Sequence, residues 1–272
     1  MFPCTKPRLK KHSFPADPKP ARLIIDGPRD GSANMAADEA LFLSAALLPY
    51  AATLRLYSWN PPCISLGRRQ KMDVVNKDRC RAMGIDVVRR IGGGAAVHHG
   101  DEITYCFVSR NDLLPIPTGV QWHTVFSLFL KKLGLTPDAL VETRKENIPL
   151  GQSGNKRDLL KENSPHPSFA KGGGGQPGDS NACFACAAED EPTVGGKKFV
   201  GSARRKSKHV FLQHGSILLA PQPAFLRDLV PGAEPDASLG LNSLLPSLTC
   251  ETAHTALIAA IEETFSLGFP RS

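Results

Sequence analysis

Apolar and polar positions along this chain fall into short segments with readable periods. "RLIID" (22–26) begins order as a short strand, and "GSANMAADEALFLSAALL" (31–48) follows with helical spacing. Ser32 is placed to cap a helix starting near Asn34, with Asp38 and Glu39 in its early turns where the dipole favours acids. "ATLRLYSW" (52–59) alternates as a half-buried strand does, with Leu54, Leu56 and Tyr57 among its apolar positions. "PPCISLGR" reads as a turn and a strand, and "DVVNKDRCRAMG" as a helix closed by Gly84. "IDVVRRI" is a strand, three glycines turn the chain, and "ITYCFVS" is a strand in return. "VQWHTVFSLFLKKLG" (120–134) carries a 3.6-residue period and ends on Gly134.

Residues 1–21, rich in Lys and Pro, are expected to form a disordered tail. From 152 to 180 Gly, Pro, Ser and charge take over, which predicts a mobile insertion. Order is expected to resume at "NACFA", with strands at "KKFVGSA" and "HVFLQHGSILLA" and an amphipathic helix in "CETAHTALIAAIEETFSLG". No internal repeat is present. The reading is a single α+β domain over 22–272, with a largely antiparallel mixed sheet flanked by helices.

Composition narrows the choice of function. With 272 residues and 41% apolar content, the chain can bury a sizeable core. A net charge of +7 suits an acidic partner, or is simply a solvated basic surface; its densest run is "KKFVGSARRKSKH" (197–209). The spacing matches no nucleic-acid-binding module. Seven cysteines, an odd number in a long chain, suggest reduced thiols in a cytoplasmic protein. The first 22 residues lack the apolar stretch of a secretory signal, and no run approaches the roughly 18 apolar residues that span a bilayer.

The chemistry concentrates in "RRIGGGAAVHHGDE" (89–102). The glycines fit neither a phosphate loop nor a dinucleotide fingerprint, since a strand follows them. They make a tight hairpin, or they let backbone approach a ligand; Arg89, Arg90 and His99 beside them favour a pocket. "CFAC" (183–186) lacks the second pair that zinc requires, so no metal is expected. Cys183 is either a small buried hydrophobe or a nucleophile whose thiolate Lys197 and Lys198 favour. "GQSGN" misses a serine elbow by its last residue. His214 after an apolar strand reads as a structural histidine, and His12, His123, His166 and His254 belong to no constellation.

Five blocks occur in order: "NMAADEAL" (34–41), "LRLYSWNPPCISLGRRQ" (54–70), "GIDVVRRIGGGAAVHHGDEITY" (84–105), "ACFA" (182–185) and "VGGKKFVGSARRKSKHVFLQHGSILL" (194–219). Together they resemble the lipoate–protein ligase and octanoyltransferase family, which shares its catalytic domain with biotin–protein ligases. The Trp-Asn-Pro-Pro block and the Cys-Phe pair are most similar to the cysteine-dependent octanoyltransferases. The resemblance implies that octanoyl leaves acyl carrier protein, rests on an enzyme cysteine, and passes to a lysine of a lipoyl domain such as the glycine cleavage H protein, with no cofactor. It assigns Cys183 as the acyl acceptor and Lys198 as the residue that contacts the acyl carbonyl. It further implies that Arg90, Gly93, Gly94 and His99 line an acyl tunnel and that Gly201, Ser202 and Ala203 form another part of its wall. Gly92 and His98 depart from the family's threonine and apolar residue, and Cys186 offers a second thiol. An ATP-dependent lipoate ligase, an amidotransferase between lipoyl domains and a non-catalytic acyl-carrier-binding protein are the competing readings.

Overall fold

The computed structural model describes residues 17–138, 184 and 191–270. Its first half runs β1 (Lys19–Arg29), α1 (Gly31–Ser44), β2 (Ala52–Trp59), β3 (Cys63–Leu66), α2 (Lys77–Ala82), β4 (Asp86–Arg89), β5 (Val97–His99), β6 (Glu102–Arg110) and α3 (Gly119–Lys132). The second half has β7 (Thr193–Val194), β8 (Lys197–Lys198), β9 (Val200–Lys206), β10 (Val210–Leu218), α4 (Leu226–Leu229), α5 (Cys250–Phe265) and β11 (Leu267–Gly268).

Six strands form the central sheet in the order β11-β1-β2-β6-β10-β9. β1 runs parallel to both of its neighbours, and the three remaining pairings are antiparallel. A smaller sheet, β4-β3-β5, lies beside it, and β7 and β8 make a short hairpin.

Strand alternation divides the central sheet into two chemically different faces. Leu54 and Leu56 of β2, Tyr105 and Phe107 of β6, and Phe211 and Ile217 of β10 join the main core. There they meet Trp122, Phe126 and Phe129 of α3 and Leu257, Ile261 and Phe265 of α5, which recur at helical spacing. Each fully buried large side chain contributes about 1.5–3 kcal/mol. The opposite face, under α1, is mixed: Arg55 and Tyr57, Thr104 and Cys106, and His214 and Ser216 are all buried there. An apolar face anchors the sheet and leaves the polar face free for chemistry.

The tail and first strand differ from expectation at their boundary. β1 starts at Lys19 rather than Arg22, because Lys19 and Pro20 pair with Leu267 and Gly268 of β11. That partner is nearly the whole chain away. Helix α1 starts at Gly31, capped by Asp30, whose carboxylate accepts the Ala33 amide at 2.8 Å; Ser32 lies inside the helix. Asn76 caps α2 in the same way. Gly84 and Gly134 close their helices at φ +66° and +80°, as read from the sequence. The "KKFVGSA" strand is interrupted at Phe199, dividing β8 from β9. The 152–180 segment lies outside the described residues. No helix among the described residues is long and apolar enough to cross a membrane.

Candidate active site

On the mixed face the sheet is lined by small residues. His214 stands opposite Ala203 across the β9–β10 ladder and Ser216 opposite Gly201. With so little side chain on β9, a cavity of about 340 Å³, its open mouth included, forms above the strands. Met35, Tyr57, Trp59, Val97 and His99 contribute to its lining, together with Gly201, Ser202 and Ala203. Gly215 is confined on the other side: a Cβ there would stand 2.3 Å from the Gly201 carbonyl oxygen.

Arg90 lines one side of the cavity and holds the glycine turn behind it. Its Nε donates to the Gly93 carbonyl at 3.1 Å, and Nη2 donates to the carbonyls of Gly93 and Ala95, each at 2.7 Å. Nη1 donates to the Ser65 carbonyl at 2.8 Å and to its hydroxyl at 3.1 Å. Arg90 lines the cavity, but its donors are engaged in shaping the loop. Gly93 and Gly94 are not among the lining residues; they carry the turn behind the wall. Gly94 adopts φ +85°, and a Cβ on neighbouring Gly67 would lie 1.9 Å from the Gly94 carbonyl oxygen. Gly92 faces inward: a Cβ on it would meet His214 Nε2 at 2.4 Å and Ala203 Cβ at 3.0 Å. The bare backbone of the motif therefore allows two loops and a strand to close on one another.

His99 is the most constrained residue of the wall. Nδ1 lies 2.7 Å from Glu102 Oε1, and Nε2 lies 2.7 Å from Ser65 Oγ. The carboxylate keeps the ring proton on Nδ1, so Nε2 accepts the serine hydroxyl. Glu102 Oε1 also accepts from Thr104 and Ser216 at 2.7 and 2.6 Å. Burial opposes ionisation of Glu102, yet the neighbouring His99 and the hydrogen bonds from His99, Ser216 and Thr104 outweigh it and hold its carboxyl below the usual range. Trp59 stacks on the His99 ring at 4.0 Å and donates its indole N–H to Thr104. With both ring nitrogens engaged, His99 offers the cavity a flat fixed face rather than a free hydrogen-bonding group.

A second polar group braces the other end. Asp38 accepts from Arg55 Nη1 at 2.8 Å and Tyr57 OH at 2.9 Å, and its Oδ2 lies 3.1 Å from His214 Nδ1. Arg55 also donates to Asn34 Oδ1 and Asp26. Burial, then the Asp38 charge, push the Tyr57 phenol well above its ordinary range, so it remains a donor. The sequence alone gives Asn34, Arg55, Glu102 and Glu191 no site role, and gives Asp38 only that of an acid in the first turns of a helix. One signal was present: Asn34 and Asp38 share a helix face with Met35 and Phe42, so the "NMAADEAL" block sets polar groups into an inward stripe.

Lys198 is 4% exposed, and its Nζ lies 2.7 Å from Glu191 Oε2. The other oxygen, Glu191 Oε1, accepts the Ser202 amide at 2.7 Å. The same ammonium lies 5.4 Å from the centroid of the Phe184 ring. Phe184 clusters with Leu218 and with Val97, which lines the cavity. Lys198 itself is not a lining residue. Cys183 and Cys186 lie outside the described residues. Cys63, Cys80 and Cys106 are buried free thiols whose titration burial pushes up; Cys250 is exposed, and none of the four lines the cavity. His214, read as structural, has that role through Asp38 and also lines the cavity. His98 is buried against the edge of Phe225.

The chain that builds this site has relatives among known proteins. The lipoyl protein ligase A/B catalytic domain profile matches residues 30–132. Octanoyltransferase LipM of Clostridioides difficile is 34% identical over 73% of this chain and 65% of its own length. Octanoyltransferase LipM of Kyrpidia tusciae is 35% identical over 75% of this chain and 68% of its own. Among solved structures, an archaeal bipartite lipoate protein ligase studied with its E2 lipoyl domain, from Thermoplasma acidophilum, aligns with a TM-score of 0.64. The identity there is 17%, covering 93% of this chain and 87% of that one. The chain belongs to the lipoyl protein ligase A/B catalytic domain family. It spans about 65% of the length of the first curated relatives it matches.

Proposed function

We propose that this protein is an octanoyltransferase that takes octanoyl from acyl carrier protein onto Cys183 and delivers it to a lysine of a lipoyl domain such as the glycine cleavage H protein. The Cys183 thiolate attacks the donor thioester carbonyl. A carbon–sulfur bond to the enzyme forms, the carrier's bond breaks, and the carrier leaves as a thiolate that takes up the proton the Cys183 thiol gave up. The acceptor amine then attacks the enzyme thioester, an amide bond forms, the Cys183 bond breaks, and the amine's proton returns to the cysteine sulfur. The two large partners visit in turn, which a covalent intermediate permits.

The observation that carries this reading is the placement of Phe184. The residue next in the chain to Cys183 is held beneath the Lys198 ammonium and against the cavity wall. Lys198 is then the charge that favours a thiolate and polarises the acyl carbonyl as negative charge develops on its oxygen. The trough of Gly201, Ala203, Val97 and the Trp59–His99 stack receives the acyl chain. Its six methylenes contribute roughly 5 kcal/mol of binding at about 0.8 kcal/mol each. Arg90, Gly93 and Gly94 support that trough through the turn they build. Arg204, Arg205 and Lys206 lie on β9, the edge strand of the sheet, and offer an acidic carrier a basic margin.

The test is incubation with octanoyl-acyl carrier protein and intact-mass measurement. An octanoyl adduct mapped to Cys183 and chased onto a lipoyl domain without ATP supports the reading. An absolute need for ATP points instead to ligase chemistry, and absence of any adduct on folded protein points to binding alone.

A further inference from the structure

We infer that Glu191 is a positioning residue of the transfer reaction, one that aims Lys198 and fixes the cavity wall with a single carboxylate. This rests on the role proposed above for Lys198. An ammonium as buried as that of Lys198 is costly to leave uncompensated, and Glu191 Oε2 meets it at 2.7 Å with its own side chain only 3% exposed. The second oxygen is used as well. Glu191 Oε1 accepts the amide of Ser202 at 2.7 Å, and Ser202 lines the cavity. The Ser202 hydroxyl in turn meets Tyr105 OH at 3.0 Å, which takes a hydrogen bond from Gln213, tying this point into the sheet.

The carboxylate therefore links the lysine to the strand that forms the trough. A lysine side chain has many rotamers, and holding its head at a defined distance from the wall removes that freedom before substrate arrives. The partner is also a carboxylate in a position no simpler residue fills. It has two acceptor oxygens for two fixed donors, whereas glutamine has one. In Glu191→Gln, Lys198 or Ser202 must face an amide N–H in a buried setting, and the charge of this carboxylate is removed. The contribution is expected in the rate of acylation rather than in donor affinity, because the carboxylate acts through Lys198 and the Ser202 amide.

The experiment is single-turnover acylation of Cys183 by octanoyl-acyl carrier protein, followed by rapid quench and intact mass, on wild type, E191Q, K198A and the double variant. Glu191→Gln is expected to slow acylation at least tenfold with the half-saturating donor concentration changed less than threefold. In the Lys198→Ala background the same change is expected to slow acylation no further, since its effect passes through the lysine. A folded E191Q that acylates within twofold of wild type overturns the inference, as do losses that multiply in the double variant. Should E191Q not fold, Glu191→Asp keeps the charge but withdraws it by one methylene; a smaller slowing, again absent beside K198A, supports the inference, and an unaltered rate overturns it. An inactive K198A beside an unaffected E191Q removes only this inference. A fully active K198A removes the lysine's role and this inference with it.

Discussion

The Lys198 ammonium and the Phe184 ring lie 5.4 Å apart, the ring buried beneath the charge. Cys183 is the residue that precedes Phe184 in the chain. Cys183→Ala is expected to abolish the octanoyl adduct and all transfer while leaving the melting temperature and circular dichroism unchanged. Cys186→Ala is expected to keep the adduct. Peptide mapping after octanoyl-carrier incubation distinguishes them, and an adduct on Cys186 alone would reverse the assignment.

Lys198→Ala removes the cation next to that segment. Loss of one preorganised donor to a developing oxyanion typically costs about 10²–10³ in rate. The expected outcome is a fall of that size in acylation rate, and Glu191 is then left as a buried carboxylate without its ammonium. Because that burial is itself costly, the rate must be compared at matched folded fraction. Turnover within threefold of wild type would take the lysine out of the chemistry.

Long-period features were legible from the sequence. The stripes of α3 and α5 and the alternation of β2, β6 and β10 place the main core, and Arg90, His99 and Gly201–Ala203 do meet around one cavity. The ion partners were not legible. Glu102, Glu191 and Asp38 look like any surface carboxylate until folding desolvates them against His99, Lys198 and Arg55. The start of β1 and the break at Phe199 were hidden for a similar reason: their causes are partners distant in sequence, Leu267 for the one and the Lys198–Ser238 bridge for the other. The glycine turn was read as a tunnel lining. Gly93 and Gly94 do not line the cavity described above, and Arg90 turns its guanidinium back onto the turn's own carbonyls.

Gly215→Ala tests how little room the sheet leaves behind the cavity. The added methyl would stand 2.3 Å from the Gly201 carbonyl oxygen and 2.9 Å from the Tyr105 ring, one of them backbone and neither able to yield cheaply. Overpacking of this kind costs about 1–3 kcal/mol and displaces β9 from β10. Urea denaturation is expected to show that loss, with acylation slowed through the shifted wall. An alanine variant as stable and active as wild type would mean the ladder is looser than the contacts indicate.

Asp38→Asn tests the brace beneath His214. The substitution retains shape but leaves buried Arg55 with Asp26 as its remaining carboxylate. Removing one partner from a buried ion pair costs about 3–5 kcal/mol. The same change frees His214 Nδ1 from its carboxylate, so the cavity should lose definition along with stability. Equilibrium denaturation gives the first effect. The second appears as slower acylation at a temperature where the variant is still folded; wild-type stability would show that Arg55 is compensated elsewhere.

The pH dependence of stability follows from His98 and Glu102. Burial, then the neighbouring His99, lower the His98 titration from the ordinary 6.5 to about 4. Between these values the unfolded chain takes up a proton that the folded protein refuses, so stability falls as pH drops from 6.5 and the loss levels off near 4. At about 1.4 kcal/mol per unit, the whole window amounts to about 3 kcal/mol. Glu102 adds to the decline lower down: its folded carboxyl is held below the ordinary 4.5, so its stabilisation is present above that value and is lost as pH falls through the lowered one. Urea midpoints measured at pH 7, 5.5 and 4.5 should therefore descend steadily. His98→Leu, which keeps an apolar side chain against Phe225 and cannot be protonated, should make the decline between pH 6.5 and 4.5 shallower, with the slope that remains owed to His123 and His254, whose titrations burial also lowers. A variant curve parallel to wild type across that window would show that another group governs the acid sensitivity.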